Sequence, residues 1–289
     1  MTPADPPTAG HRVRRVLRRP ARLSGSGLLA LLLCVLSVAV AMPAGAAPVT
    51  VTARDGFSRI VSGGWGTADQ GGAWTVLTPS RFAATGGMGT IALTTDGRTQ
   101  QAHLPQTGTS NDVTITLAAS RTPTGGGLFV SVSGRRIADV GQYQAKVRWL
   151  ADGTVAVSLV RLDTRWAETV LVREATVPGV RGVTGQQVKV RVQVTGTSPT
   201  AVRAKVWQAT AAEPAAWTAG ATDNTARWQV TGGVGLHAYL SRSSVPLTVR
   251  VDDVAASLTS DGTVAPPPPP PPPLPRGRRD PARSSRRRR

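Results

Sequence analysis

Cysteine is almost absent from this chain, with one thiol, Cys34, in an apolar run near the N-terminus. A single cysteine excludes any disulfide within the chain, so a folded part must be held by its core or by a metal. Histidine is nearly as scarce: His11, His103 and His237 are the three. No spacing of His, Cys or Glu suggests zinc. Glutamate is limited to Glu168, Glu174 and Glu213. Glycoside hydrolysis ordinarily uses two carboxylates that flank the scissile bond. Glu168 and Glu174 share a strand parity, but their separation is about 20 Å in an extended chain. Asp252 and Asp253 are adjacent and point to opposite faces. His237 lies within the apolar run Gly235–Leu240 and reads as structural. A sustained helical period with caps is also lacking, which argues against helical architectures. No internal repeat is present.

Acid is scarce overall, with 34 Lys+Arg against 16 Asp+Glu and a net charge of +18. The excess lies at the two ends. Six cations precede Pro48 and eight follow Val264, which leaves 20 Lys+Arg against 14 Asp+Glu between them, a net of +6. The central region is therefore only moderately basic. The charge is no evidence for a nucleic-acid partner, and no specific nucleic acid is expected.

Residues 11–22 are basic, Leu28–Met42 is an apolar run, and small residues follow Pro43. That order is the signature of a secretory signal peptide, expected over 1–47 with cleavage after Ala46 or Ala47. The run is short for a membrane span. Export would place the protein outside the cytoplasm, secreted or associated with the cell wall. At the other end Pro266–Pro273 forms a polyproline spacer, and Leu274–Arg289 is basic without an apolar period. Residues 261–289 are expected to be disordered. Two explanations for them stand side by side. The tail is an anchor for acidic wall polymers or anionic lipid, or the reading frame is truncated or shifted and a downstream domain is missing.

Between these ends, 48–260 alternates repeatedly with period two and is broken by Gly, Ser and Thr turns, as strands and hairpins do. Val188, Val190, Val192 and Val194 alternate with Lys189, Arg191 and Gln193. After the turn at Gly196–Pro199, Val202, Ala204 and Val206 alternate with Arg203, Lys205 and Trp207. This is a hairpin with one apolar and one wet face. A second hairpin runs over Gly141–Leu162 and turns at Asp152-Gly153. The stretch Ser62–Trp74 is rich in glycine, which lets the backbone turn sharply around Trp65 and Trp74. The fold class is all-β, a two-sheet antiparallel sandwich in one domain.

Asp55, Phe57 and Arg59, then Gly64, Trp65 and Gly66, then Gly71, Gly72 and Trp74 form a recognisable pattern. So do Arg191, Gly196, Pro199, Trp207, Pro214 and Trp217, followed by Gly235 and Val249–Asp253. In these residues the chain resembles the concanavalin A-like lectin/glucanase superfamily, and more closely the laminin-G-like sandwich domains of secreted actinobacterial proteins. The resemblance implies a jelly roll whose concave sheet faces carbohydrate. It also implies a structural Ca²⁺ where the first and last strands meet, at Asp55, Asp252 and Asp253, whose hard oxygens suit that ion. The competing use of these carboxylates is an ordinary strand-end pairing with Arg59 or Arg250. The glucanases of the superfamily carry their carboxylates as E-x-D-x-x-E on one strand, a pattern that none of the three glutamates starts.

The expectation is a secreted, non-catalytic, lectin-like module for a polysaccharide, of acidic type given the cations. Its ligand face would comprise Trp207, Arg203, Lys205, Arg191, Lys189 and Arg148; the competing reading has Trp207 packed under a neighbouring loop and the cations on an ordinary solvated face. The alternatives are an atypical polysaccharide hydrolase or lyase, and a structural spacer domain.

Overall fold

A computed structural model describes residues 50–259, apart from the side chains of Gln106 and Thr107. The expected signal peptide and the proline-rich tail lie outside the described residues. The strands are β1 (Thr50–Asp55), β2 (Val61–Ser62), β3 (Thr75–Val76), β4 (Phe82–Thr85), β5 (Met88–Leu93), β6 (Thr99–Gly108), β7 (Asn111–Ala119) and β8 (Gly127–Ile137). They continue as β9 (Gly141–Trp149), β10 (Thr154–Asp163), β11 (Glu168–Arg181), β12 (Gln187–Thr195), β13 (Thr200–Gln208), β14 (Ala219–Asp223), β15 (Gly232–Ser241) and β16 (Leu247–Leu258). Two single-turn 3₁₀ helices, Pro79–Arg81 and Ala226–Trp228, complete the described residues.

The strands form two antiparallel sheets. One has nine strands in the order β14-β13-β12-β7-β16-β5-β4-β2, with β1 paired to β16. The other has seven, in the order β11-β10-β9-β8-β15-β6-β3. This is the all-β, two-sheet antiparallel jelly-roll sandwich expected from the sequence. Both sequence hairpins are present. Val190 pairs with Val206 and Arg191 with Lys205 across β12 and β13. At the other turn, Val155 pairs with Trp149, and Asp152 Oδ1 accepts the N–H and hydroxyl of Thr154.

The core lies between the sheets. Val188, Val190, Val192, Val194 and Val202 meet Leu128, Val130, Val132, Ala145 and Val147, all buried. Each fully buried valine or leucine contributes about 1.5–3 kcal/mol. Polar bonds join the sheets at one end. The Tyr143 hydroxyl donates to Asp223 at 2.5 Å, and Arg161 pairs with the same carboxylate at 3.0 Å. Buried Arg135 donates to Thr200 Oγ1 and to the Gly196 carbonyl.

The residues of the glycine and tryptophan stretch gather in one knot. The buried Asp55 carboxylate accepts the Phe57 N–H at 2.9 Å, both terminal nitrogens of Arg59 at 2.7 and 2.8 Å, and the Trp74 indole at 2.6 Å. Trp65 meets Trp74, Phe57 and Phe82 edge-on at 4.9–5.3 Å. Gly71 has φ +104°, and a Cβ there would stand 2.8 Å from the Ala53 Cβ. The motif residues near the N-terminus that carry the family resemblance are therefore architectural.

Candidate functional site

The structure divides the six expected ligand residues between opposite faces of the sandwich. Lys189, Arg191, Arg203, Lys205 and Trp207 belong to the nine-stranded sheet, whereas Arg148 lies on β9 of the seven-stranded sheet. The region Gly141–Trp207 is thus not one surface, because the chain changes sheet between β11 and β12. The parity of β13 is as expected, with Trp207 opposite the valines. The open ring platform is not there, however: Trp207 and Lys205 are each only 7% exposed.

The segment after β13 supplies partners on this side. Glu213 takes Lys205 at 2.8 Å and Arg191 at 2.7 Å. Arg191 also pairs with buried Asp112 at 2.5 Å, and Lys189 pairs with Asp253 at 3.2 Å. Trp217 stacks against Arg203 at 4.3 Å and Lys205 at 4.8 Å. Hydrogen bonding to Asp112 raises the Arg191 guanidinium above its ordinary range. Burial lowers that of Arg203. The face read as wet and ligand-seeking is saturated by the protein's own groups.

The acids expected to hold calcium are engaged as well. Asp55 and Asp253 do line one recess, together with Asp69. Both oxygens of Asp55 are nevertheless taken by N–H donors, and Asp253 Oδ2 accepts Thr116 and Lys189. Asp252 Oδ1 accepts the Asp253 N–H, and burial raises its carboxyl above the usual range. Among the described residues no group of three side chains is arranged to hold a metal. The arginine pairing weighed for Asp55 is the arrangement present.

The outward face of the seven-stranded sheet differs. Alternation places Gln101 and His103 of β6, His237 and Tyr239 of β15, and Gln142, Gln144, Lys146 and Arg148 of β9 on the side away from the core. Register sets them in rows. His103 lies across from Gly235, which lies across from Ser133, which lies across from Gln144. In the next row Gln101, His237, Ser131 and Lys146 follow one another. Arg136 pairs with Gln142 and Gly233. Position 235 must be glycine, because a Cβ there would meet the His103 Cβ at 2.9 Å and the Ala102 carbonyl at 2.6 Å.

His237 is the centre of this face, at 6% exposure. Gln142 Nε2 lies 2.8 Å from its Nε2, and Gln144 Nε2 lies 3.4 Å from its Nδ1. The Ser133 hydroxyl donates to Gln142 Oε1 at 2.6 Å, which directs the amide NH₂ toward the imidazole. The indole of Trp166, in the turn between β10 and β11, lies 5.5 Å away. Burial, then Arg136 and His103, push the His237 imidazole down to about 4. Half-buried His103 is likewise lowered, by burial and then by Arg136, and its Nδ1 has no hydrogen-bond partner. Both rings are neutral at neutral pH. Arg136 has no ion pair among the described residues. At the far end of the face the cations are paired, Lys146 with Glu168 and Arg148 with Glu174, and both lie 5.1 Å from the Phe129 ring. The sequence reading missed the centre because it took His237 as part of an apolar strand. The usable signal was alternation: Leu236, Ala238 and Leu240 face inward, which turns His237 and Tyr239 outward.

A base without charge, a cation without a partner and several amides are what this face offers. No two carboxylates stand at its centre. Asp139 and Asp163 line a recess beside Arg136, and Asp163 Oδ1 is committed to the N–H groups of Arg165 and Ala167.

No protein-family model matches the chain, and no curated protein matches it in sequence. Solved structures with a related fold include an alginate lyase bound to an alginate trisaccharide, at 12% identity and TM-score 0.48, covering 73% of this chain and 99% of that one. A β-glucanase of Bacillus licheniformis has 10% identity and TM-score 0.48, covering 72% and 97%. A carbohydrate-binding module of Bacillus subtilis has 15% identity and TM-score 0.45, covering 64% and 94%. At these identities the likeness is one of fold. The expectation that the chain is not an enzyme is nonetheless overturned, because structures of this fold include a lyase and a glucanase. The missing E-x-D-x-x-E pattern removes one carboxylate arrangement and leaves catalysis by other groups open.

Proposed function

We propose that this protein processes an acidic polysaccharide, cleaving a uronate-containing chain by β-elimination on the outward face of the seven-stranded sheet. The observation that carries the reading is unpaired Arg136 beside two neutral histidines. An arginine fork matches a carboxylate. Neutralising the uronate carboxylate acidifies the proton on the adjacent carbon C5. His103, uncharged and partly buried, takes that proton as general base. The C5 electron pair forms the C4=C5 double bond, and the C4–O glycosidic bond breaks with its pair on oxygen. That oxygen takes a proton from the imidazolium or from solvent. No water is consumed and no redox partner is needed. His237, fixed by Gln142, orients the amides on the face.

The test is to incubate the full chain with polyuronates and with neutral glucans, following the ultraviolet absorbance of the unsaturated uronate. Cleavage of a polyuronate with that absorbance is the expected result. New reducing ends without it would mean hydrolysis, and inertness toward every polyuronate would sink the reading. We also place the protein outside the cytoplasm, on the order of residues in its leader. Mass spectrometry of exported material should find Ala47 or Pro48 first. An intact N-terminus that retains Cys34 would count against export with cleavage.

A further inference from the structure

Trp166 is half-exposed, at 50%, yet its turn is built with care. Its φ of +65° is a conformation unfavourable for a bulky residue and usually held in place by its surroundings. Asp163 does the holding. Its Oδ1 accepts the N–H of Arg165 at 2.8 Å and of Ala167 at 2.9 Å, and its carbonyl accepts the Trp166 N–H at 3.1 Å. Nothing in the core requires this ring. It stands over His237 and forms a wall shared by two recesses. One, of about 220 Å³, contains Arg136 and Gln142. The other, of about 640 Å³, contains Arg81, Arg98 and Gln100. Recesses of a few hundred Å³ are the scale of small-ligand sites.

Resting on the reading of this face as an acidic-glycan site, we propose that Trp166 is a positioning residue that stacks on a sugar ring and divides the groove into two subsites. The larger recess receives the carboxylate of the neighbouring uronate through Arg81 and Arg98. Three observations converge on it. Indole presents a flat apolar face to the C–H side of a pyranose. Arg81 and Arg98 have no ion pair among the described residues, unlike Lys189, Arg191 and Lys205 on the opposite sheet. Trp166 lines both recesses, so one ring borders each of the two subsites. The smallest ligand that fills the site is therefore a pair of acidic sugars, one on each side of the ring.

The experiment measures KM and kcat of the full chain on a ladder of oligouronates, with melting temperature as a fold check. Trp166→Ala should raise KM about tenfold, by analogy with aromatic anchors, with a smaller effect on kcat and an unchanged melting temperature. Trp166→Phe should recover most of the loss. Arg98→Ala together with Arg81→Ala should weaken the longer oligomers and spare a single uronate, more strongly at low salt. Wild-type behaviour of all these variants, beside an Arg136→Ala protein that has lost activity, overturns this inference and leaves the reading of the face intact. A Trp166→Ala defect that comes with a lowered melting temperature and no recovery in Trp166→Phe also overturns it. If the wild type neither binds nor cleaves any oligouronate, the reading of the face falls and takes the two subsites with it.

Discussion

The two outward faces of this sandwich carry similar cations and use them differently. On the nine-stranded sheet, Arg191, Lys205 and Lys189 each meet a carboxylate, and Trp217 lies across Arg203 and Lys205. On the seven-stranded sheet Lys146 and Arg148 are likewise paired, with Glu168 and Glu174, but Arg136 meets no carboxylate, and two imidazoles beside it are held neutral. The contrast shows that a basic strand parity does not mark a binding face. What matters is whether the chain brings its own counter-charge to that face. Glu213, in the segment after β13, does so for one sheet.

Four measurements would break or sharpen this contrast. The largest effect is expected at Trp207, now a buried ring. Trp207→Ala should cost about 3–5 kcal/mol of stability in urea unfolding while sparing glycan binding. An unchanged stability would return Trp207 to an open face. The second concerns His237. Its folded imidazole titrates at about 4 against 6.5 for the free ring. Between these values the unfolded chain binds the proton and the folded chain does not. Stability is therefore complete above pH 6.5 and is lost as pH falls toward 4, by about 3 kcal/mol in all. Unfolding free energies measured across that window should lose much of their slope in His237→Gln, and an identical slope would contradict the assignment.

Next comes Arg191→Ala, which leaves buried Asp112 without its cation. It should destabilise by about 2 kcal/mol, short of the cost for a wholly buried pair, with binding intact. The smallest change in stability is expected for Arg136→Ala, within about 0.5 kcal/mol, although it should lower glycan binding at least tenfold. A stability loss at Arg136 matching that at Arg191 would erase the distinction between the faces.

Much of the fold was legible because alternation is local. The valines of β12 and the Asp152-Gly153 turn announce their strands within a few residues. Sheet membership was not legible. β12 joins β7, and β8 joins β15, strands far apart in sequence. Arg148 and Arg203 therefore share a pattern in the sequence and lie on opposite sides of the molecule. Glu213 lies only eight residues beyond Lys205, yet strand alternation does not show that the segment after β13 turns back over that face. His103 and His237 were visible as residues, yet they become a site only when register sets β6 beside β15. Alternation assigns a residue to a face, and only long-range pairing decides what shares that face.

The knot around Asp55 has a consequence of a different kind. One carboxylate ties residues 55, 57, 59 and 74 together through hydrogen bonds and one ion pair. It closes the loop that a cysteine pair closes in many exported domains of this size, and the described residues include no cysteine. Such a clasp has no oxidation state. It needs no oxidant or isomerase to form and cannot be scrambled by thiol exchange. Residues 50–259 should therefore assemble equally well in a reducing cytosol and in an oxidising medium, and a thiol reductant should leave the folded protein untouched.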